Sequence, residues 1–265
     1  QGLTFTDALE MQGVKKFFPN EEASVQSIIA GNDMLCLPGD IPLSIQKIKT
    51  AIKQKKISWE QIEQHCKKVL LAKYQLGLTQ SPIINTQNLT EDLNSKIANM
   101  RKTVAENAIT LLAKQNDAFF PLSVSTHNKA GDVAVVAIGT SRANEFCKQL
   151  ISDYNAGVYY FDFNKTTGDA DALFNTLKSK YKRIIVGIHN VSRYPGSNFG
   201  ISKAAAQLVN RLQNETESIL FLFGNAYAAK NFCNAKNMVI CYEDDAIIQN
   251  TAVEFLKGNL EYKGV

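Results

Sequence analysis

Apolar residues fall into short unbroken runs along much of the chain, separated by stretches in which they return every three or four positions. The runs are AITLLAK (108–114), DVAVVAIG (132–139), GVYYFDF (157–163), RIIVGIH (183–189), SILFLFG (218–224) and NMVICYE (237–243). Such runs, rich in Val, Ile, Tyr and Phe, are what a strand buried on both faces looks like. Between most of them the spacing is helical, over 141–154, 169–181, 200–214 and 226–234, and a last helix covers 245–257. Strands joined by helices of this length demand right-handed crossovers and a parallel sheet covered on both faces. Residues 106–265 therefore predict an α/β/α sandwich of flavodoxin-like kind, with a mostly parallel sheet of five or six strands.

Residues 1–78 follow a different and shorter pattern: strand, helix, strand, helix, helix. In QGLTFTDALEMQGV (1–14), Leu3, Thr4 and Phe5 form the tail of a buried strand that ends at Asp7. NEEASVQSIIAG (20–31) is a helix with Asn20 as expected N-cap, Glu21 and Glu22 in its first turn and Gly31 as its stop. NDMLCLP (32–38) is a second strand ended by Pro38, and Ile45, Ile48 and Ile52 mark the helix behind it. Ser58 caps a further helix with Gln61 completing a capping box, Ile62, Cys66, Val69 and Leu70 on one face, and Gly77 at its end. This β/α pattern is too short to close a sheet or barrel. Residues 79–105 read as a linker that turns helical from Thr90.

Composition narrows the function. With 265 residues and 45% hydrophobic content the chain can bury a proper core. Its 29 basic and 25 acidic residues are dispersed, and the densest basic run, Lys53, Lys55 and Lys56, reads as a solvated helix end. No basic stripe with groove-reading residues points to nucleic acid. The five cysteines, Cys36, Cys66, Cys147, Cys233 and Cys241, show no metal-site spacing and are expected to be buried free thiols. No window has the apolar length of a membrane span. The turn GTSRANEF lacks the glycine pattern of a phosphate cradle, so neither a cofactor nor a metal is expected.

Few residues are candidates for chemistry. Asp7 stands at the carboxyl end of a strand, where α/β and barrel proteins gather their reacting groups. The same position suits a helix N-cap for the run that begins at Ala8, and the two roles are compatible. His189 ends a strand beside Asn190, at the edge where a sheet of this kind binds ligands, and is read as structural. His65 is expected on a helix surface and His127 in an exposed turn, while Asp33 starts its strand at the wrong end for chemistry. The acidic run 243–245 is expected to cap the last helix.

The segment GLTFTDALEMQGV resembles the nucleophile motif of family-three glycoside hydrolases, in their β-N-acetylhexosaminidase branch. AGNDMLCLPGD is similar to that family's eighth barrel strand, and residues 45–78 to its closing helices. AENAITLLAKQND resembles the start of its sandwich domain, and LFGNAYAAKNF a Phe-Gly-Asn-Pro-Tyr turn with Ala226 in place of the proline. The resemblance implies that residues 1–78 are the last two β/α units of a truncated TIM barrel, 79–105 a linker and helix, and 106–265 the sandwich domain. It also implies that the missing barrel strands lie earlier in a parent chain, and that this piece alone is inactive.

By the same resemblance Asp7 is the catalytic nucleophile of a retaining exo-β-N-acetylglucosaminidase that acts on peptidoglycan- or chitin-derived oligosaccharides. Such a cell-wall substrate would imply export. The region 189–202 holds neither Glu nor Asp, whereas the family's β-glucosidases take a glutamate acid/base from the sandwich domain. In the hexosaminidase branch a histidine on an upstream barrel loop does that work, and an imidazole adds no second negative charge beside the nucleophile. A β-glucosidase of the same family, and a non-catalytic glycan- or partner-binding sandwich module, are the alternatives.

Overall fold

The computed structural model describes residues 2–80, 83–115, 117, 119–123 and 132–261, so His127 lies outside the described residues. The chain divides into two compact units, Gln1–Gln87 and Asn88–Val265.

In the first unit β1 (Phe5–Ala8) pairs in parallel with β2 (Met34–Cys36). Between them run α1 (Gln12–Lys15) and α2 (Glu22–Ile29), and after them α3 (Ile41–Lys53) and α4 (Trp59–Gln75), closed by a 3-10 turn at Leu78–Gln80. Local chemistry sets these boundaries. Asp40 accepts the Leu43 N–H at 2.9 Å to start α3, and Ser58 and Gln61 complete the expected capping box at α4. Gly31 and Gly77 take positive φ angles of 91° and 72°, which lets α2 and α4 end there.

A small core of Val25, Ile28, Ala51 and Ile57 lies under these helices. Three expectations fail here. The first strand is neither buried nor ended by Asp7, since it runs Phe5–Ala8 with Phe5 exposed. Asn20 does not cap α2, because Asn20 and Glu21 are both left-handed and Glu21 occupies the cap position. On α4 the inward stripe is Ile62, His65 and Val69, whereas Cys66 and Leu70 are exposed. A two-stranded sheet offers too little surface to cover a wider helix face.

The second unit opens with α5 (Leu89–Asn94) and α6 (Ile97–Ala108). It then alternates strands and helices: β3 (Thr110–Lys114), β4 (Val133–Ile138), α7 (Glu145–Tyr154), β5 (Gly157–Phe161), α8 (Thr167–Lys180), β6 (Arg183–Ile188), α9 (Lys203–Glu215), β7 (Ser218–Leu222), β8 (Asn237–Ile240) and α10 (Ala246–Leu256). The six strands form one sheet in the order β3-β8-β7-β6-β4-β5, parallel throughout except for β3, which runs antiparallel to β8 at the edge.

Alternate residues of each strand face opposite layers. On β4, Val133, Val135 and Ala137 pack with Phe146 and Leu150 of α7 and Val253 and Leu256 of α10. Ala134, Val136 and Ile138 pack with Phe174 and Leu177 of α8 and Leu208 and Leu212 of α9. Each such large side chain, fully withdrawn from water, contributes about 1.5–3 kcal/mol. The expected α/β/α sandwich is thus present. The stretch expected as a helix at 226–234 is instead a 3-10 segment, Ala226–Phe232. Asn225 caps it by accepting the N–H of Tyr227, only two residues on, and this tightens the first turn.

Candidate functional site

Asp7 lies within β1, and its side chain is exposed. Its Oδ1 accepts the Ala8 N–H at 2.7 Å, which fixes the carboxylate against the strand end. The capping alternative does not hold: α1 begins four residues further on than Ala8, and its cap position is Met11. Register is set alongside, where Thr6 Oγ1 accepts the Cys36 N–H at 2.8 Å. Asp7 borders a shallow hollow of about 320 Å³ that includes Ala8, Val14, Phe18 and Asn32.

At the opposite end of this two-stranded sheet, Asp33 is an anchor. Its carboxylate, shielded from solvent, accepts hydrogen bonds from the Thr4 N–H (3.0 Å) and Thr4 hydroxyl (3.0 Å), and meets His65 Nδ1 (2.7 Å) and Lys68 Nζ (3.0 Å). The His65 bond first, then that from Thr4, holds its pKa far below the usual carboxylate range. Asp33 is structural, as its position at the strand start suggested. His65 is not the surface residue expected, because the buried carboxylate draws it inward.

The second unit gathers polar groups at the carboxyl edge of its sheet. The strand order reverses at β4, which has β5 on one side and β6 on the other, and such a reversal opens a crevice in α/β folds. His189 follows β6 at that point and is 1% exposed. Its Nδ1 lies 2.8 Å from Asp244 Oδ1, and its ring stacks on Phe223 with centroids 4.6 Å apart. The Asn144 amide nitrogen lies 3.1 Å from its Nε2, while Asn144 Oδ1 caps α7 by accepting the Cys147 N–H. Asp244 also accepts from Gln249 Nε2 and from the Asn190 N–H, both at 2.8 Å. Burial alone would raise the Asp244 carboxyl, but these hydrogen bonds, that of His189 foremost, leave it below its ordinary value.

The acidic run 243–245 does more than cap. Asp245 caps α10 as expected by accepting the Ile247 and Ile248 N–H groups. Asp244 holds His189, and Glu243 with Asp245 pairs with Arg101. A glutamate therefore does lie near this edge, although it is engaged by an arginine. Nothing in the local sequence pattern joins His189 to Asp244, since the two are 55 positions apart.

Beyond His189 the loop is held in an unusual shape. Asn190 has a φ of 55°, and Ser197, Asn198 and Phe199 are all left-handed, at 50°, 55° and 59°. Phe199 is buried, and its carbonyl accepts the Ser192 N–H at 2.8 Å. Asn225 Nδ2 donates to the Arg193 carbonyl at 3.0 Å and ties this loop to the next. Tyr194 and Tyr227 stand out from the two loops, 62% and 81% exposed.

Of the cysteines, Cys147 and Cys241 are buried as expected, and burial raises both thiols. Cys36, Cys66 and Cys233 are exposed, which corrects the expectation for those three. Cys36 ends a strand in a sheet too narrow to cover it. Among the described residues no group of His, Cys, Asp and Glu is clustered to hold a metal, and no helix is long and apolar enough to cross a membrane.

Comparison with known proteins gives these sites a context. Residues 1–72 match the model of the glycosyl hydrolase family 3 N terminal domain, which relates the Asp7 unit to a family of glycoside hydrolases. No curated protein sequence matches the chain. Among solved structures, the β-glucoside phosphorylase BglX superposes with a TM-score of 0.77 at 19% identity, over 100% of this chain and 48% of that one. A glycoside hydrolase family 3 β-N-acetylglucosaminidase from Paenibacillus sp. str. FPU-7 gives 0.68 at 17% identity, over 100% and 50%. A β-glucosidase from Listeria innocua, in complex with glucose, gives 0.70 at 15%, over 98% and 38%. The chain thus spans half or less of the length of these structures, with which it shares a fold.

Proposed function

We propose that this sequence is the carboxyl-terminal part of a retaining exo-β-N-acetylglucosaminidase, acting on peptidoglycan- or chitin-derived oligosaccharides with Asp7 as nucleophile. The observation that carries the reading is Asp7 itself. It is an exposed carboxylate on a parallel strand, inside the stretch that matches the family model, with one oxygen held by the Ala8 N–H. In such a reaction the free carboxylate oxygen attacks the anomeric carbon as the glycosidic oxygen leaves with a proton from a separate acid, and water then cleaves the glycosyl ester. The hydrogen bond to the other oxygen holds the carboxylate in place for that attack.

The hexosaminidase branch is favoured over β-glucosidase by the absence of Glu and Asp from 189–202 and by the engagement of Glu243 with Arg101. The test is to express the enzyme with its remaining barrel and measure release of nitrophenol from an N-acetylglucosaminide and a glucoside. Preference for the N-acetylglucosaminide, loss of turnover in Asp7→Ala and labelling of Asp7 by a fluorinated N-acetylglucosamine analogue are expected. Label on another side chain overturns the assignment.

A second reading concerns the sandwich alone, as a glycan-binding module. It is favoured by Tyr194 and Tyr227, exposed on two tied loops at the carboxyl edge of the sheet. Arg193 lies 4.8 Å over the Tyr194 ring and stiffens it. A flat aromatic face with polar neighbours suits the C–H face of a sugar. Calorimetric titration of the chain with chito-oligosaccharides tests this, and no measurable heat at millimolar sugar refutes it.

A further inference from the structure

The loop 190–200 contains four non-glycine residues with left-handed backbone, Asn190, Ser197, Asn198 and Phe199. In Ser197 and Phe199 such a conformation costs on the order of 1 kcal/mol or more, less in the two asparagines, and it persists only when the surroundings over-determine it. Two anchors do so. At the far end the buried Phe199 ring is fixed under Lys230, whose Nζ is 5.0 Å from its centroid. At the near end the Asn190 N–H is held by Asp244 Oδ2 and its Nδ2 donates to the Gly139 carbonyl, both at 2.8 Å.

Asp244 is itself held by His189 and Gln249, so the near-end anchor is only as firm as the side chains behind it. The site is built to take that ring. A Cβ at Gly187 would lie 2.7 Å from His189 Nε2, and one at Gly139 would lie 2.3 Å from the His189 carbonyl oxygen. His189 is enclosed on every side by Phe146, Phe223, Asn144 and Gly187, and no substrate can reach it for proton transfer.

We infer that His189 and Asp244 are positioning residues, a latch that holds loop 190–200 in the one shape that presents Arg193 and Tyr194 to a saccharide. The part of this inference that names a saccharide rests on the second reading above. The latch joins the ends of three strands, β4 through Gly139, β6 through His189 and β8 through Asp244, to the starts of α7 and α10. Its role is therefore to transmit the rigidity of the sheet into a loop that buries only one large side chain of its own.

Two measurements on the full chain test this separately. Hydrogen exchange reads the latch without any ligand, at the amides of Asn190, Ser192 and Tyr194, each of which donates a hydrogen bond. In Asp244→Ala these amides are expected to exchange at least about tenfold faster while those of β7 are unchanged, since local openings can be independent of global unfolding. Asp244→Asn keeps an oxygen for the Asn190 N–H and should restore most of the protection. Ile219→Val, a core change of moderate cost, is the control and should leave the loop amides as in the parent. Unchanged loop exchange in Asp244→Ala, or equal acceleration in the control, overturns the latch.

Titration with chito-oligosaccharides reads recognition. Binding weaker by about tenfold in Asp244→Ala, unaltered in Ile219→Val and partly recovered in Asp244→Asn is expected, a difference of roughly 1.4 kcal/mol. If the parent chain binds no saccharide, the glycan reading falls, and the exchange data alone decide the latch. If the parent binds and Asp244→Ala binds equally well, the loop does not need the latch for recognition and that part of the inference falls.

Discussion

His65 Nδ1 meets Asp33 Oδ1 at 2.7 Å across 32 positions of sequence, and this contact draws α4 to the start of β2. Lys68, one turn further along α4, reaches the same carboxylate. Because the folded pKa of Asp33 is depressed, the stability it contributes is fully present above the unfolded carboxylate value of about 3.9 and fades as pH falls below it. Asp33→Asn should therefore lower the unfolding midpoint of the first unit at pH 7 and flatten its dependence on pH below about 4. Fluorescence of Trp59, the single tryptophan, follows this unit during denaturation. A variant as acid-sensitive as the parent would refute the linkage.

Ser58 carries a separable contribution. Its Oγ accepts the Gln61 N–H at 3.0 Å while Gln61 Oε1 accepts the Ser58 N–H at 2.8 Å. Ser58→Ala removes the first bond and should cost about 1 kcal/mol, within the usual range for such caps. Denaturant unfolding followed at Trp59 checks it, with no change expected in the sandwich.

In the sandwich, the buried Tyr154 hydroxyl donates to the Leu122 carbonyl at 2.7 Å and keeps that segment against α7. Burial, then the nearby charges of Asp153 and Glu254, push its phenol well above the ordinary range, so it stays protonated and able to donate throughout neutral and mildly alkaline pH. Tyr154→Phe leaves a carbonyl without its partner and should destabilise the unit by about 1–3 kcal/mol. Urea unfolding monitored by circular dichroism measures the loss.

Gly187 tests the space reserved for His189. Gly187→Ala places a methyl 2.7 Å from Nε2 and 3.1 Å from the Phe146 ring, with the surrounding side chains already closely packed. The expected loss is about 1–3 kcal/mol, as for other overpacked cores. A thermal midpoint equal to that of the parent would mean that the ring can shift, and that its place is not tightly defined.

How far these features could be read in the sequence depends on how local their causes are. The strands of the sandwich were legible because a strand buried on both faces cannot interrupt its apolar run, as VAVVAI of β4 shows. The caps at Ser58 and Asp245 were legible because donor and acceptor lie within three residues. Cys36 misled, since an apolar run implies burial only when the sheet is wide enough to supply it. Asn20 misled because Pro19, Asn20 and Glu21 turn the chain before α2 can use the asparagine.

By itself, then, the order of residues determined where the sandwich strands and most of the helices form, and that Asp7 lies near the carboxyl end of a strand. Those outcomes follow from backbone preferences and from apolar groups avoiding water, and both act over a few neighbouring positions. Only the tertiary structure decided that His65 serves Asp33, that His189 serves Asp244, and that Tyr194 and Tyr227 stand on tied loops. The sheet brings those side chains together across tens of positions, and a buried charge or polar group takes its partner from whatever packing sets beside it.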